Sequence, residues 1–260
     1  MIFSQGFCYN LVNNDSEFLP LIESEENYQR NLLSQPPDWE YRTKKIHYKY
    51  NSLGHRSCEL HELPKDYLLF SGCSFTEGIG LKLEDTYSHV VADNLGIGYY
   101  NLGLGGSCPS ICVKNIITFL SKCMNNMPKN IVIQWPYFLR YYRVVPYLYI
   151  EHHTPAGELH ETYSSMLENN DAYMYNIAER IYLLHFLRNI NYTGKLVELF
   201  TQNQEEIDYI TGHDHTTNFT DKHSILLSNF VDYARDLGHP GSLTNKAFAD
   251  SILKILKAPL

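Results

Sequence analysis

Two neighbouring residues could do chemistry here. In "YLLFSGCSFTEGIG", residues 67–80, an apolar run leads straight into Cys73 and Ser74. A thiol or hydroxyl in such a place is a nucleophile only if a base serves it. The best candidate base lies far downstream, in "YARDLGHPG", where Asp236 and His239 are three residues apart. An imidazole works as a base when a carboxylate holds its other ring nitrogen, and a short loop can carry both groups. With 12 histidines in 260 residues, one such spacing is unremarkable, and a solvated loop histidine is the commoner arrangement. Gly72 lets the backbone turn where a side chain would obstruct it. N–H groups at the start of the following segment can then bind a developing oxyanion. The pattern is not a G-x-S-x-G elbow, because residue 76 is Thr. On local pattern alone, a polar turn with Ser74 capping a helix is the slightly favoured reading.

Such groups need a frame. "YLLFS" (67–71) has the continuous apolar character of a buried parallel strand. "EDTYSHVVADNLG" (84–96) predicts a helix stopped by Gly96, and "GYYNLGLGG" (98–106) a short strand entering a Gly-rich turn. A helix with Pro109 in its first turn follows, then a third strand in "NIVIQW" (130–135). Residues 171–190 have helical periodicity, "KLVELF" (195–200) reads as a fourth strand, and a helix capped by Ser242 or Thr244 closes the chain. This alternation predicts an α/β fold with a mostly parallel sheet covered on both faces. In open parallel sheets, ligands sit beyond the carboxyl ends of the strands. Gly72 to Ser74, Gly103 to Ser107 and Gln134 to Arg140 all fall there, and the Asp236–His239 loop can swing in as a fourth piece.

Other features narrow the classes. At 44% hydrophobic residues the chain can bury a sizeable core, and its net charge of −8 provides no basic field for nucleic acid or anionic membrane. The six cysteines (8, 58, 73, 108, 112 and 123) form no C-x-x-C pair, so free thiols are expected; Cys108 and Cys112, four apart, share a helix face without further ligands nearby. No secretory signal or membrane span is evident, which predicts a cytoplasmic protein. "HDH" (213–215) and "HH" (152–153) read as solvated histidines, so no metal site is predicted. "GIGLKLED" lacks a dinucleotide fingerprint. Residues 1–66 look irregular, with "SQPPDWEYR" a loop and "KIHYKYN" (45–51) a short strand or extended arm. The whole chain, 1–260, is read as one domain, with 1–50 an N-terminal extension and 141–170 an irregular, Tyr-rich insertion.

Taken together, "FSGCSFTEGIGL", "NLGLGGS" and "DLGHPG", in this order, resemble the first, second and fifth blocks of the SGNH (GDSL-type) hydrolases. "NSLGHRS" (51–57) is similar to a segment preceding the nucleophile in a bacterial and phage branch of that family. The resemblance covers roughly 51–140 and 228–257. It implies a flavodoxin-like three-layer α/β/α sandwich with Ser74 as nucleophile, His239 as base and Asp236 as its orienting carboxylate. It also implies that the Ser74 and Gly106 N–H groups form the oxyanion hole. Cys73 stands where the family usually has Asp, with a packing role under the turn.

The third block departs from the family. Where Gly-x-Asn-Asp is expected, this chain has "IQWPYFLR". Gln134 and the Trp135 indole N–H are candidate replacement donors, though either side chain could equally point into the core. Arg140 could bind a substrate anion or pair with a local carboxylate. The resemblance implies a serine ester hydrolase, an esterase or carbohydrate O-acetylesterase, that needs no cofactor and acts on a small acylated substrate, a glycan among the candidates. The alternatives are a degenerate member that binds a glycan or protein without turnover, and an acyltransferase. Oligomeric state does not follow from the sequence.

Overall fold

The computed structural model describes residues 11–18, 23–145, 149–153, 171–212, 214, 222–227 and 230–258. Near its start, β1 (Asp15–Ser16), α1 (Glu25–Ser34) and β2 (Tyr48–Lys49) precede the main sheet, with β1 and β2 pairing antiparallel. There follow β3 (Tyr67–Ser71), α2 (Ser74–Glu77), α3 (Tyr87–Leu95), β4 (Gly98–Asn101), α4 (Pro109–Lys122) and β5 (Asn130–Gln134). A hairpin of β6 (Tyr141–Val145) and β7 (Tyr149–His153) then leads towards α5 (Asp171–Asn189). The chain continues through β8 (Leu196–Phe200), α6 (Gln204–Thr211), β9 (Lys222–Leu226) and α7 (Ser242–Leu256).

Five strands form one sheet in the order β4-β3-β5-β8-β9, and every neighbouring pair is parallel. This is the flavodoxin-like order, whose connections reverse direction between β3 and β5 and open a crevice there. Successive residues on the strands feed opposite layers. Leu69, Ile131 and Ile133 pack with α4 and α5, whereas Leu68, Phe70 and Val132 pack with α3 and α7. The result is the predicted three-layer α/β/α sandwich. Among the described residues, no helix is long and apolar enough to cross a membrane.

Three local features depart from expectation. The fifth strand, β9, is half exposed at the sheet edge, so it lacks the continuous apolar run that marks a buried strand. α1 was not anticipated because none of its residues is buried and no apolar stripe marks it. The cap of α7 is neither Ser242 nor Thr244. Gly241 occupies the cap position, and the Asp232 carboxylate accepts the Leu243 and Thr244 N–H groups at 3.0 and 2.8 Å. Asp232 therefore fastens the loop ahead of α7 to the helix that follows it.

Candidate active site

The nucleophile candidate sits where β3 leaves the sheet. A Cβ at Gly72 would lie 2.1 Å from Thr76 Oγ1 and 2.8 Å from the Gln134 carbonyl, so only glycine fits between β5 and α2. Cys73 takes the cap position of α2 and Ser74 the first helical position. Ser74 therefore does not cap the helix. Its N–H is one of the helix's orphan donors and has no hydrogen-bond partner among the described residues. Cys73 is buried beneath the turn, its Sγ donating to Gln134 Oε1 at 2.9 Å, and Ser74 Oγ contacts Cys73 Sγ at 3.9 Å.

The downstream loop docks onto this same helix. Its backbone closes through Ala234 N–H to the His239 carbonyl at 2.9 Å and Leu237 N–H to the Ala234 carbonyl at 2.9 Å, with Leu237 in the left-handed region at φ 58. Inside it, the Asp236 carboxylate accepts the Gly238 and His239 N–H groups at 3.2 Å each, and His239 Nδ1 bonds Asp236 Oδ2. Burial alone would push the Asp236 carboxyl up. The hydrogen bonds and charge of His239, with the two N–H groups, outweigh it and hold the carboxyl below the usual range. At neutral pH it is ionised and can hold an imidazole in one tautomer.

Arg235 N–H donates to the Gly80 carbonyl at 3.1 Å, in the turn that follows α2. A Cβ at Gly80 (φ 75) would meet Ala234 Cβ at 2.6 Å and Asp236 Oδ1 at 3.0 Å, so the approach of the two segments requires this glycine. The His239 ring lies edge-on to Phe75, the residue after Ser74, with centroids 5.9 Å apart. Among the described residues, no hydrogen bond joins Ser74 Oγ to His239.

On the third side stands Gly106, with φ 75 and an N–H that has no partner among the described residues. Gln134, the candidate third donor, lies under the nucleophile turn. Its side chain is buried, with Oε1 accepting the Cys73 N–H at 3.3 Å and Nε2 donating to the Trp135 carbonyl at 2.8 Å, so the amide braces the turn from below. The Trp135 indole is also spent, donating to Glu198 Oε1 at 2.7 Å. Arg140, beyond the end of β5, lies over the Tyr137 ring at 5.5 Å, and its Nε has no hydrogen-bond partner among the described residues. His213 and His215 of the "HDH" stretch fall outside the described residues.

Sequence reasoning missed the N-terminal contribution. Glu23 pairs with Arg235, next to Asp236, and accepts the Tyr48 hydroxyl at 2.6 Å, which in turn receives the Gly80 N–H at 2.7 Å. Tyr50 donates to Glu77 Oε1 at 2.6 Å. The alternation of Tyr48 and Tyr50 in "KIHYKYN" is the one signal that could have revealed it, because alternate strand residues share a face.

No family model matches the chain, and no curated protein matches it in sequence. Solved structures do match. A carbohydrate esterase, whose active site is described as displaying divergent catalytic and non-catalytic binding functions, superposes with a TM-score of 0.50 at 12% identity, over 75% of this chain and 69% of its own. The acetyl xylan esterase Est2A from the rumen bacterium Butyrivibrio proteoclasticus superposes at 0.51 and 13% identity, over 82% of this chain and 66% of its own. This chain shares its fold with these two proteins. A lipolytic protein of the G-D-S-L family from Veillonella parvula is matched over its full length at a TM-score of 0.43 and 10% identity. At these identities the shared property is the fold. The chain spans about two thirds of the length of the two esterases, 69% and 66%.

Proposed function

We propose that this protein is a serine ester hydrolase acting on a small acyl group carried by a soluble, glycan-like alcohol. Ser74 Oγ attacks the ester carbonyl and passes its proton to His239 Nε2. Asp236 holds Nδ1 and stabilises the imidazolium. The Ser74 and Gly106 N–H groups receive the oxyanion. As the tetrahedral centre collapses, the ester C–O bond breaks and His239 returns the proton to the leaving alcohol. Water then repeats the sequence on the acyl-enzyme, releasing the acid and free Ser74.

The observation that carries this reading is the docking of the Asp236–His239 loop on the Ser74 helix, with the imidazole against Phe75 and the carboxylate on its far nitrogen. The two unpaired N–H groups support it. The glycan ester is taken from the fold neighbours, a carbohydrate esterase and an acetyl xylan esterase. Arg140, just beyond the end of β5, is proposed to meet an anionic group of the substrate.

A fluorophosphonate probe tests the proposal. It should label the wild type and fail on Ser74→Ala, while His239→Ala slows labelling and p-nitrophenyl acetate turnover by about 10⁴-fold or more. A second reading, binding without turnover, is favoured by the absent third-block Asn and by the absence of a Ser74–His239 hydrogen bond among the described residues. Folded wild-type protein that neither labels nor turns over ester would establish it instead.

A further inference from the structure

The nucleophile helix and the second-block loop are joined by a buried carboxylate that the proposed chemistry does not use. Glu77 closes α2 and is 1% exposed. One of its oxygens accepts the Tyr50 hydroxyl at 2.6 Å, and the other accepts the Gly105 N–H at 2.6 Å. The next residue is Gly106. The loop also presses on the helix directly, since a Cβ at Gly103 would stand 2.5 Å from the Glu77 nitrogen. Asn101, at the end of β4, adds a neutral strap by donating to the Thr76 carbonyl at 2.7 Å and accepting the Gly103 N–H at 2.8 Å.

We infer that Glu77 is a positioning residue which, by holding the Gly105 N–H, aims the Gly106 N–H at the oxyanion formed on Ser74. The inference rests on the ester-hydrolase reading and deepens it. Burying a carboxylate is costly, and burial pushes the Glu77 carboxyl up despite the Tyr50 and Gly105 hydrogen bonds and the charge of Arg56. A neutral amide would satisfy packing at lower cost, but a carboxylate offers two acceptors, one for each partner. An oxyanion donor must stand where charge develops, and a displacement of about 1 Å can cost about 10²-fold in rate. Gly106 is one of the two donors the proposed chemistry assigns to the oxyanion, so its aim matters.

The test uses p-nitrophenyl acetate and the full chain. Glu77→Ala should lower kcat by about 10²-fold and change KM by less than about threefold, because the lost interaction exists only in the transition state. Glu77→Gln should recover to within about fivefold of wild type, its amide oxygen accepting Gly105 N–H and its NH₂ turning to the Tyr50 oxygen. Tyr50→Phe, which leaves the Gly105 contact in place, should stay within that same range. Hydrogen exchange at the Gly105 amide supplies a readout independent of turnover. The amide should be protected in wild type, Tyr50→Phe and Glu77→Gln, and exposed in Glu77→Ala. The inference is overturned by a folded Glu77→Ala that keeps kcat within threefold. It is equally overturned if a folded Glu77→Gln loses both kcat and Gly105 protection, and this arm decides the matter should Glu77→Ala not fold. A wild type with no turnover or labelling sinks the hydrolase reading itself, a result distinct from either of these.

Discussion

The same parallel sheet carries two clusters of polar groups, built to opposite rules. On β8, Glu198 receives Arg180 Nε and Nη2 at 2.7 Å each and the Trp135 indole N–H at 2.7 Å. Arg180 also pairs with Asp214, which takes Lys222. Each of these charges faces an opposite charge. At the carboxyl ends of β3 and β4, by contrast, the Ser74 and Gly106 N–H groups have no partner among the described residues, and the Ser74 hydroxyl has only a long sulfur contact. Buried polar groups in folded proteins are normally paired, as the Glu198 cluster is, whereas the Ser74 and Gly106 N–H groups are the two donors the proposed chemistry would use.

Breaking each cluster should therefore fail in a different way. The largest effect is expected at the paired one. Arg180→Ala strands Glu198 without its cation and should cost about 3–5 kcal/mol, lowering the melting temperature by about 10 °C. Turnover per folded molecule, measured well below the transition, should stay within about threefold, since Arg180 touches no proposed reacting group. Equal loss of turnover would show that the two clusters are not separable.

Next in size is a pH effect from a third buried group. His55 is 1% exposed, with Nδ1 on the Tyr100 hydroxyl at 2.9 Å, and burial pushes its imidazole down to about 4. The unfolded chain binds this proton at the ordinary value of about 6.5, so its contribution is complete above that pH and drains away as pH falls towards 4. By pH 5 the loss should be about 2 kcal/mol. Melting curves between pH 7 and 5 should slope less for His55→Gln than for wild type.

The smallest effect sharpens the comparison most. If Gln134 braces the turn and donates nothing to the oxyanion, Gln134→Ala should reduce kcat by less than about tenfold, against the about 10²–10³ of a lost oxyanion donor. A loss of the larger size would return Gln134 to the hole.

Much of the frame was legible in the sequence. "YLLFS", "NIVIQW" and "KLVELF" announce strands buried on both faces, because such strands must be apolar without interruption. Gly96 marks a helix end, and it adopts φ 63 as the left-handed cap that glycine permits. The edge strand β9 and the exposed helix α1 went unread for the converse reason: partial burial leaves a mixed pattern. The candidate site was legible as three pieces, namely Ser74 behind Gly72, the glycines before Ser107, and the Asp-x-x-His spacing. The side chains that lock those pieces together were not. Glu77, Tyr50, Glu23 and Tyr48 are ordinary residues in sequence and acquire meaning only from partners far along the chain.

By itself, then, the sequence determined local matters: which runs are apolar enough for buried strands, where glycine lets the backbone turn, and that Asp236 and His239 are close enough for one loop to join them. These rest on interactions between near neighbours, which composition and spacing record. The tertiary structure alone decided which donors are spent and which are free. Gln134 Nε2 and the Trp135 indole donate to the Trp135 carbonyl and to Glu198, while the Gly106 N–H has no partner among the described residues. Pairing of that kind depends on which segments the fold brings within about 3 Å of one another, and no spacing along the chain encodes it.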